Sequence, residues 1–225
     1  MRLAAICNGC TLTASAVRKT DSFHARESAP CDALESLLRE IRACRLCEAH
    51  LSHGPRPVLH VRSTARLCIV SQAPGIRVHE TGLSFNDRSG DRLREWMAID
   101  RQAFYDESNV AIAAMAFCFP GYDEAGSDRP PPPICAVHWR TRLMAALPKV
   151  ELILLAGSYA QSWHLGNSAK SNMTETVRAW REYAPRHIPL PHPSWRNNGW
   201  LKRNPWFESE LLPVLRRRVR RLLSS

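Results

Sequence analysis

Apolar residues fall along this chain in short, dense runs separated by longer polar or amphipathic stretches. "ARLCIVSQ" (65–72), "VAIAAMAF" (110–117) and "VELILLAG" (150–157) are mostly apolar at successive positions, and "HIPLP" (187–191) is a shorter fourth run. Runs of this length without polar alternation predict strands buried on both faces. The intervening stretches carry a different period. In "CDALESLLREIRAC", Leu34, Leu37, Leu38 and Ile41 follow helical spacing, and Asp32 with Glu35 fits a capping box. "SGDRLREWMAI" places Leu93, Trp96 and Met97 on one face, and "ICAVHWRTRLMAAL", "SYAQSWHLG", "TETVRAWREY" and "PWFESELLPVLRRRVRRLL" read as further helices. Strands alternating with helices predict an α/β fold, a three-layer α/β/α sandwich around a short, mainly parallel four-stranded sheet. Residues 1–30 are rich in Ser, Thr and Ala with little periodicity. They are expected to be a poorly ordered N-terminal extension to one domain over 31–225.

Two segments depart from this pattern, and both follow predicted strands. "SQAPGIRVHETGLSFNDRSGDRL" (71–93) leaves the first run, and "PHPSWRNNGW" (191–200) leaves the fourth. Open parallel sheets bind ligands at the carboxyl ends of their strands, so these are the candidate site segments. Pro74 and Gly75 shape a tight turn, and Gly90 precedes a helix whose first amides can face an anion. Taken singly, the first segment also fits an ordinary strand-to-helix loop, and a loop histidine such as His192 fits a solvated side chain. "GYDEAGSDRPPPP" is expected to be irregular, because its prolines lack the amide protons that helices and ladders need.

Charge and cysteine content extend the picture. A formal net charge of +10 favours polyanionic partners, nucleic acid first and anionic membrane surfaces second. No apolar run approaches the roughly 18–20 residues that span a bilayer. The first residues hold an apolar core of only about five, against roughly 7–15 in a signal peptide. A cytoplasmic chain with no membrane partner is expected. Eight cysteines in an otherwise ordinary composition argue for metal or free thiols over a disulfide framework. Cys44 and Cys47 have C-x2-C spacing, and Cys118 and Cys135 flank the proline-rich loop. Such thiolates hold a 4Fe–4S cluster or zinc; the alternative is buried thiols with no metal. Cys68 lies in a predicted strand and is expected in the core, and Cys7 and Cys10 are assigned no metal. Five arginines within 216–221 fit either a phosphate-binding surface or a solvated helix end that complements the helix dipole.

Read together, the two site segments resemble the uracil-DNA glycosylase superfamily. The first resembles the G-E-A-P-G…G-x-P-F…G-x-x-L stretch of the iron–sulfur, thermophile-type group. The second resembles the H-P-S-P-R-N loop of the single-strand-selective group, with Trp195 in place of a proline. The resemblance implies a monomeric, monofunctional enzyme that flips a base out of single- or double-stranded DNA and hydrolyses its N-glycosidic bond. It implies Phe85 as the stacking platform and His192 as the donor to the departing base. Gln72 and Ala73 would orient the base and water, and Ser194, Trp195, Arg196 and Asn197 would form a loop that wedges into the strand. It also favours iron–sulfur over zinc at Cys44, Cys47, Cys118 and Cys135.

Three positions depart from the family pattern. Gln72 stands where the iron–sulfur group has a glutamate, Ala73 where other branches carry a water-activating Asp or Asn, and Ala114 near an asparagine that reads the uracil edge. Glu80 is taken as the substitute carboxylate, with Asp87, Asp91 and His79 as further candidates. The alternative is a weak or inactive protein that keeps the fold to bind DNA or a flipped base. No lyase step is implied, since Lys149 and Lys170 lie away from the motifs and only Lys202 is near the wedge loop.

Overall fold

All four apolar runs become strands, and all four strands are parallel. The computed structural model describes residues 30–224; the expected N-terminal extension, with Cys7 and Cys10, lies outside the described residues. In chain order the elements are α1 (Pro30–Arg42), β1 (Leu67–Val70), α2 (Ile76–Thr81), α3 (Arg88–Met97), α4 (Arg101–Phe104), β2 (Val110–Ile112) and α5 (Pro133–Ala145). They continue with β3 (Leu152–Ala156), α6 (Ser158–Leu165), α7 (Met173–Arg178), α8 (Trp180–Tyr183), β4 (His187–Leu190), α9 (Asn198–Arg203) and α10 (Leu212–Leu223). The strand order is β2-β1-β3-β4, which puts Pro189 on an edge strand, where a missing amide proton is tolerated.

Strand alternation divides the core into two layers. Leu67, Ile69, Val110, Ile112, Leu152, Leu154, Ile188 and Leu190 face the packing of α3 and α10, with Leu93, Trp96, Met97, Leu215 and Val219. Cys68, Val70, Ala111, Ile153 and Leu155 face α1 and α5, with Leu34, Leu37, Leu38, Ile41, Trp139 and Leu143. The sheet is therefore covered on both sides, and Cys68 is a core residue, as its place in an apolar run implies.

The strands are shorter than the apolar runs, because apolarity continues past each ladder into buried loop. β2 stops at Ile112, yet Ala113 to Phe117 stay buried, their chain held by Met115 N–H to Ser71 O (2.8 Å) and Ala116 N–H to Gln72 O (3.1 Å). Three readings of helix content change. Helix α1 already begins at Pro30, ahead of the run that predicts it. Segment 71–91 is not all loop: α2 forms between Gly75 and Gly82, the latter in the left-handed conformation that ends a helix. The "NNGW" region is not all loop either, since α9 buries Trp200, whose indole N–H donates to Thr174 Oγ1 at 2.8 Å.

The basic tail is committed to the fold at two points. Arg216 donates to the carbonyls of Trp96 and Glu95 (both 3.3 Å) at the C-terminal end of α3, and Arg218 donates to Pro185 O. This end of α3 lies opposite the strand ends that carry the motifs. No described helix is long and apolar enough to cross a membrane.

One half-buried histidine makes the fold acid-sensitive. His164 has its Nε2 buried without a partner, and burial together with Arg140, His187 and Arg186 pushes its pKa down to about 3. The unfolded chain therefore takes up a proton at this position near pH 6.5, and the folded chain does so only near 3. The stability it contributes is complete above 6.5 and lost as the pH falls. Going from pH 7 to 5 should remove about 2 kcal/mol through this group, at ~1.4 kcal/mol per unit. Thermal melts at the two pH values should show a shallower loss in His164→Leu than in the wild type.

Candidate active site

Each strand hands its C-terminal end to one cleft. Ser71, Gln72 and Ala73 follow β1, Ala114 follows β2, Tyr159 opens α6 after β3, and His192 follows β4; together they line a cavity of about 680 Å³. Phe85, Ser194, Trp195, Arg196 and Asn197 line the same cavity. The two motif segments, roughly a hundred residues apart in sequence, thus meet across one opening.

Phe85 is held by its backbone. It is 8% exposed and sits at φ +57°, a left-handed conformation uncommon for a bulky side chain. Its carbonyl accepts from Tyr105 Oη (3.1 Å) and from Arg94 Nη1 (3.4 Å), and its ring meets Phe104 edge-on at 6.0 Å. Gly90 does not precede α3 but lies in its first turn, with its amide donating to Asp87 Oδ1 at 3.0 Å. That amide is therefore unavailable to an anion.

His192 is positioned from two sides. A Cβ on Gly157 would meet His192 Cβ at 3.4 Å, so this glycine, at φ +91°, lets the end of β3 approach the histidine closely. Asn197 Nδ2 donates to the His192 carbonyl at 2.7 Å, which curls the loop back on itself. Burial holds the His192 pKa below its ordinary value, against the opposing pull of Asp87, so the ring is neutral at pH 7. No described residue hydrogen-bonds its ring nitrogens, which leaves an N–H for a ligand.

The loop after His192 is clamped by Arg92, which carries no local signal because it sits mid-helix among other charges. Its guanidinium donates to Ser194 O (2.9 Å) and Asn198 Oδ1 (2.7 Å), fixing the loop to α3. Ser194 accepts from the Arg196 amide (3.2 Å) and caps the short turn Trp195–Asn197. Trp195 is left 68% exposed at the rim with the Arg196 guanidinium over its ring at 5.8 Å. An exposed indole held by an otherwise well-bonded loop is suited to insertion into a base stack.

The expected substitute carboxylate is not in the cleft. Glu80 lies on α2, exposed, and is absent from the cavity lining; its carbonyl, not its carboxylate, is engaged, by Arg56 at 2.9 Å. His79 turns away too, into a ring cluster with His53 and Phe119, and Asp91 pairs with Arg94 at 2.7 Å. The helical turn of α2 rotates both residues out, which a loop reading of the segment conceals. The cleft carboxylates are instead Asp87, Asp123 and Asp128. Asp87 caps α3, and Asp123 accepts from the Ala125 and Ser127 amides (3.0 and 2.8 Å). Asp128 accepts no hydrogen bond from a described residue, and its Oδ2 lies 3.6 Å from where a Gly75 Cβ would stand. The residue as a whole is exposed, and partial desolvation of its carboxyl raises the pKa, with Arg196 opposing the shift and Asp123 and Asp87 adding to it. Gln72 Nε2 reaches Arg129 O at 3.4 Å, so the same proline-rich loop that carries Asp128 touches the β1 turn.

The four cysteines singled out by spacing, Cys44, Cys47, Cys118 and Cys135, line one second pocket with Ile41, Pro132 and Trp139. Among the described residues no group of three or more His, Cys, Asp or Glu side chains is arranged to hold a metal ion. Burial pushes the Cys118 thiol up to about 12 and Cys135 to about 11, with the backbone at Arg56 and at Phe117, respectively, pulling the other way. Arg140 lies against this region, 1% exposed and with no ion-pair partner among the described residues. It donates to Ala113 O (3.1 Å) and Ala114 O, its Nε is unpartnered, and Cys68 and Cys135 are the groups that favour its charge.

A family model described as the uracil DNA glycosylase superfamily matches residues 60–216, a span that takes in all four strands and both motif segments. That match covers well over half of the chain, and it falls on the same residues that build the cleft. The chain belongs to the uracil DNA glycosylase superfamily.

Proposed function

We propose that this protein is a monofunctional DNA glycosylase that hydrolyses the N-glycosidic bond of uracil or a related deaminated base, working as a monomer in the cytoplasm on single- or double-stranded DNA. The observation that carries the reading is the meeting of a neutral His192, a locked Phe85 and an exposed Trp195 around one cavity. An extruded base stacks on Phe85. As the glycosidic bond breaks, negative charge grows on the base, and the His192 N–H donates to it. Trp195 fills the gap left in the stack and Arg196 contacts phosphate. The uncommitted amides of Gln72 and Ala73 orient the base and the incoming water.

Asp128 supplies the carboxylate that the β1 turn lacks. A carboxylate with its pKa raised above the ordinary range is a better proton acceptor from water, and this acid has no competing hydrogen bond. Asp128→Asn should lower single-turnover excision by about 100-fold or more. Because the carboxylate must be ionised, wild-type excision should fall as the pH drops through the raised Asp128 pKa, and that acid limb should vanish in the variant. A pH–rate profile of both proteins reads the difference.

Four thiols lining one pocket, two of them at C-x2-C spacing, are the ligand set for a 4Fe–4S cluster held by Cys44, Cys47, Cys118 and Cys135. The unpaired Arg140 cation beside them fits an anionic centre. When bound, the cluster cross-links the 44–47 turn to both ends of the proline-rich loop. The residues themselves then hold that loop, and Asp128 with it, against the cleft.

The test is direct. Purified protein is incubated with single- and double-stranded oligonucleotides bearing uracil, hypoxanthine or xanthine, and abasic sites are cleaved with alkali. Strand cleavage dependent on one of these bases is expected. Tight DNA binding with no cleavage on any base would instead support the fold-retaining binding protein, whose case rests on the inert Ala73 and Ala114 at the cleft floor.

A further inference from the structure

Arg140 poses an energetic problem. A fully buried guanidinium without an anionic partner costs several kcal/mol in lost hydration, and two carbonyl acceptors recover only part of this. Its surroundings are Ala113 O, Ala114 O and the Phe117 ring at 5.7 Å, and it couples electrostatically to Cys68, Cys135 and His164. Cys68 lies in the middle of β1 within the core. Cys135 opens the helix that carries Arg140 and faces the shared pocket. Four thiolates around a 4Fe–4S cluster or around zinc carry net negative charge in either case.

We propose that Arg140 is the internal counter-cation of the four-cysteine centre and, through its fork onto Ala113 and Ala114, the residue that couples that centre to the floor of the cleft. The inference rests on the centre proposed above and goes beyond it. It assigns a role to a residue that lines neither pocket. The segment from Ala113 to Cys118 is the connection: Ala114 lines the cleft, Cys118 lines the thiol pocket, and Arg140 grips the chain between β2 and that cysteine. With the centre loaded, the cation is neutralised and the fork is held. With the centre empty, the same cation is an uncompensated buried charge beside the cleft floor. Arg140 is thus a positioning residue acting through Ala114.

The experiment compares full-length wild type, Arg140→Met, Cys135→Ser and the double variant, all purified anaerobically. It reads metal per chain, the rate of metal loss to a chelator, and the melting temperature. In the metal-loaded protein, Arg140→Met should lose metal about 10–100-fold faster, the effect expected of a group supporting metal ligands, and should melt lower. In the Cys135→Ser background the sign should reverse, because removing an uncompensated buried cation relieves the fold. A role limited to two hydrogen bonds would lower the melting temperature in both backgrounds, and that result overturns the proposal. Unchanged metal retention in a folded Arg140→Met protein does the same. If Arg140→Met yields no folded protein in either background, Arg140→Lys decides. Metal retained near the wild-type rate supports the charge role, and rapid loss overturns it. A wild type containing neither iron nor zinc removes the centre itself, and this inference falls with it, an outcome told apart by the metal content alone.

Discussion

His192→Ala should lower single-turnover excision by about 10²–10³-fold, the range seen when one donor to a developing anion is removed. The expectation follows from where charge moves. The base departs as an anion, and a donor matched to that anion acts mostly in the transition state and little in the bound ground state. Three features of the site make His192 such a donor. Its ring is fixed between Gly157 and the loop curled by Asn197; burial keeps it neutral at pH 7; and neither ring nitrogen is bonded to the protein. A neutral imidazole donates without the cost of carrying a buried charge before the reaction starts. His192→Gln retains an N–H donor and should recover part of the loss, whereas alanine recovers none. DNA affinity of both variants, read by anisotropy, should change far less than their rates, since the proposed strand contacts are those of Arg196 and Trp195. Equal losses in affinity and in rate would assign His192 to binding instead.

The route to this site shows what a sequence can carry. The strands were legible because burial on both faces leaves no polar position, and the ends of those runs located the cleft. Gln72, Ala73, His192 and the Ser194–Asn197 loop converge there because each follows a strand closely, and Phe85 joins them from the turn between α2 and α3. The misses share a different cause. Glu80 was misplaced because α2 is only six residues long, IRVHET, with a single buried side chain, Val78, so no apolar period marks it. The flanking Gly75 and Gly82 were the available signal, one as N-cap and one as C-cap. Asp128, Arg92 and Arg140 were passed over for a reason no periodicity can repair. Each acts on a segment distant in sequence, Arg92 on Ser194 and Asn198, and Arg140 on Ala113 and Ala114. Local pattern fixes which face of an element is buried, but not which remote loop closes over it. The proline-rich loop is irregular, as its prolines imply; what they do not encode is that it leans on the β1 turn and brings an acid with it.

The same long-range logic makes Gly90 the position where the smallest change should do the most damage. A methyl group there would stand 1.8 Å from the Phe85 carbonyl oxygen, 2.7 Å from its carbonyl carbon and 2.9 Å from its Cβ. The first two of these atoms are backbone, so no rotamer change relieves the clash. Either α3 shifts at its first turn or Phe85 leaves its left-handed conformation. The first path breaks the Asp87 cap and the Arg92 clamp on the wedge loop; the second breaks the bonds from Tyr105 and Arg94 to the Phe85 carbonyl. Gly90→Ala should therefore cost about 3 kcal/mol or more, the upper range for forced overpacking. It should also lower excision beyond what the lost stability explains, because both paths displace the platform or the wedge. Gly199→Ala supplies the contrast. It lies in α9, its added methyl would meet only the flexible end of Arg203 at 3.4 Å, and it should stabilise by up to about 1 kcal/mol through helix propensity. Melting curves of the two variants should move in opposite directions. If Gly90→Ala instead melted near the wild type and excised at its rate, α3 and Phe85 would have to yield freely, and a rigid stacking platform would no longer account for the way this cleft holds a base.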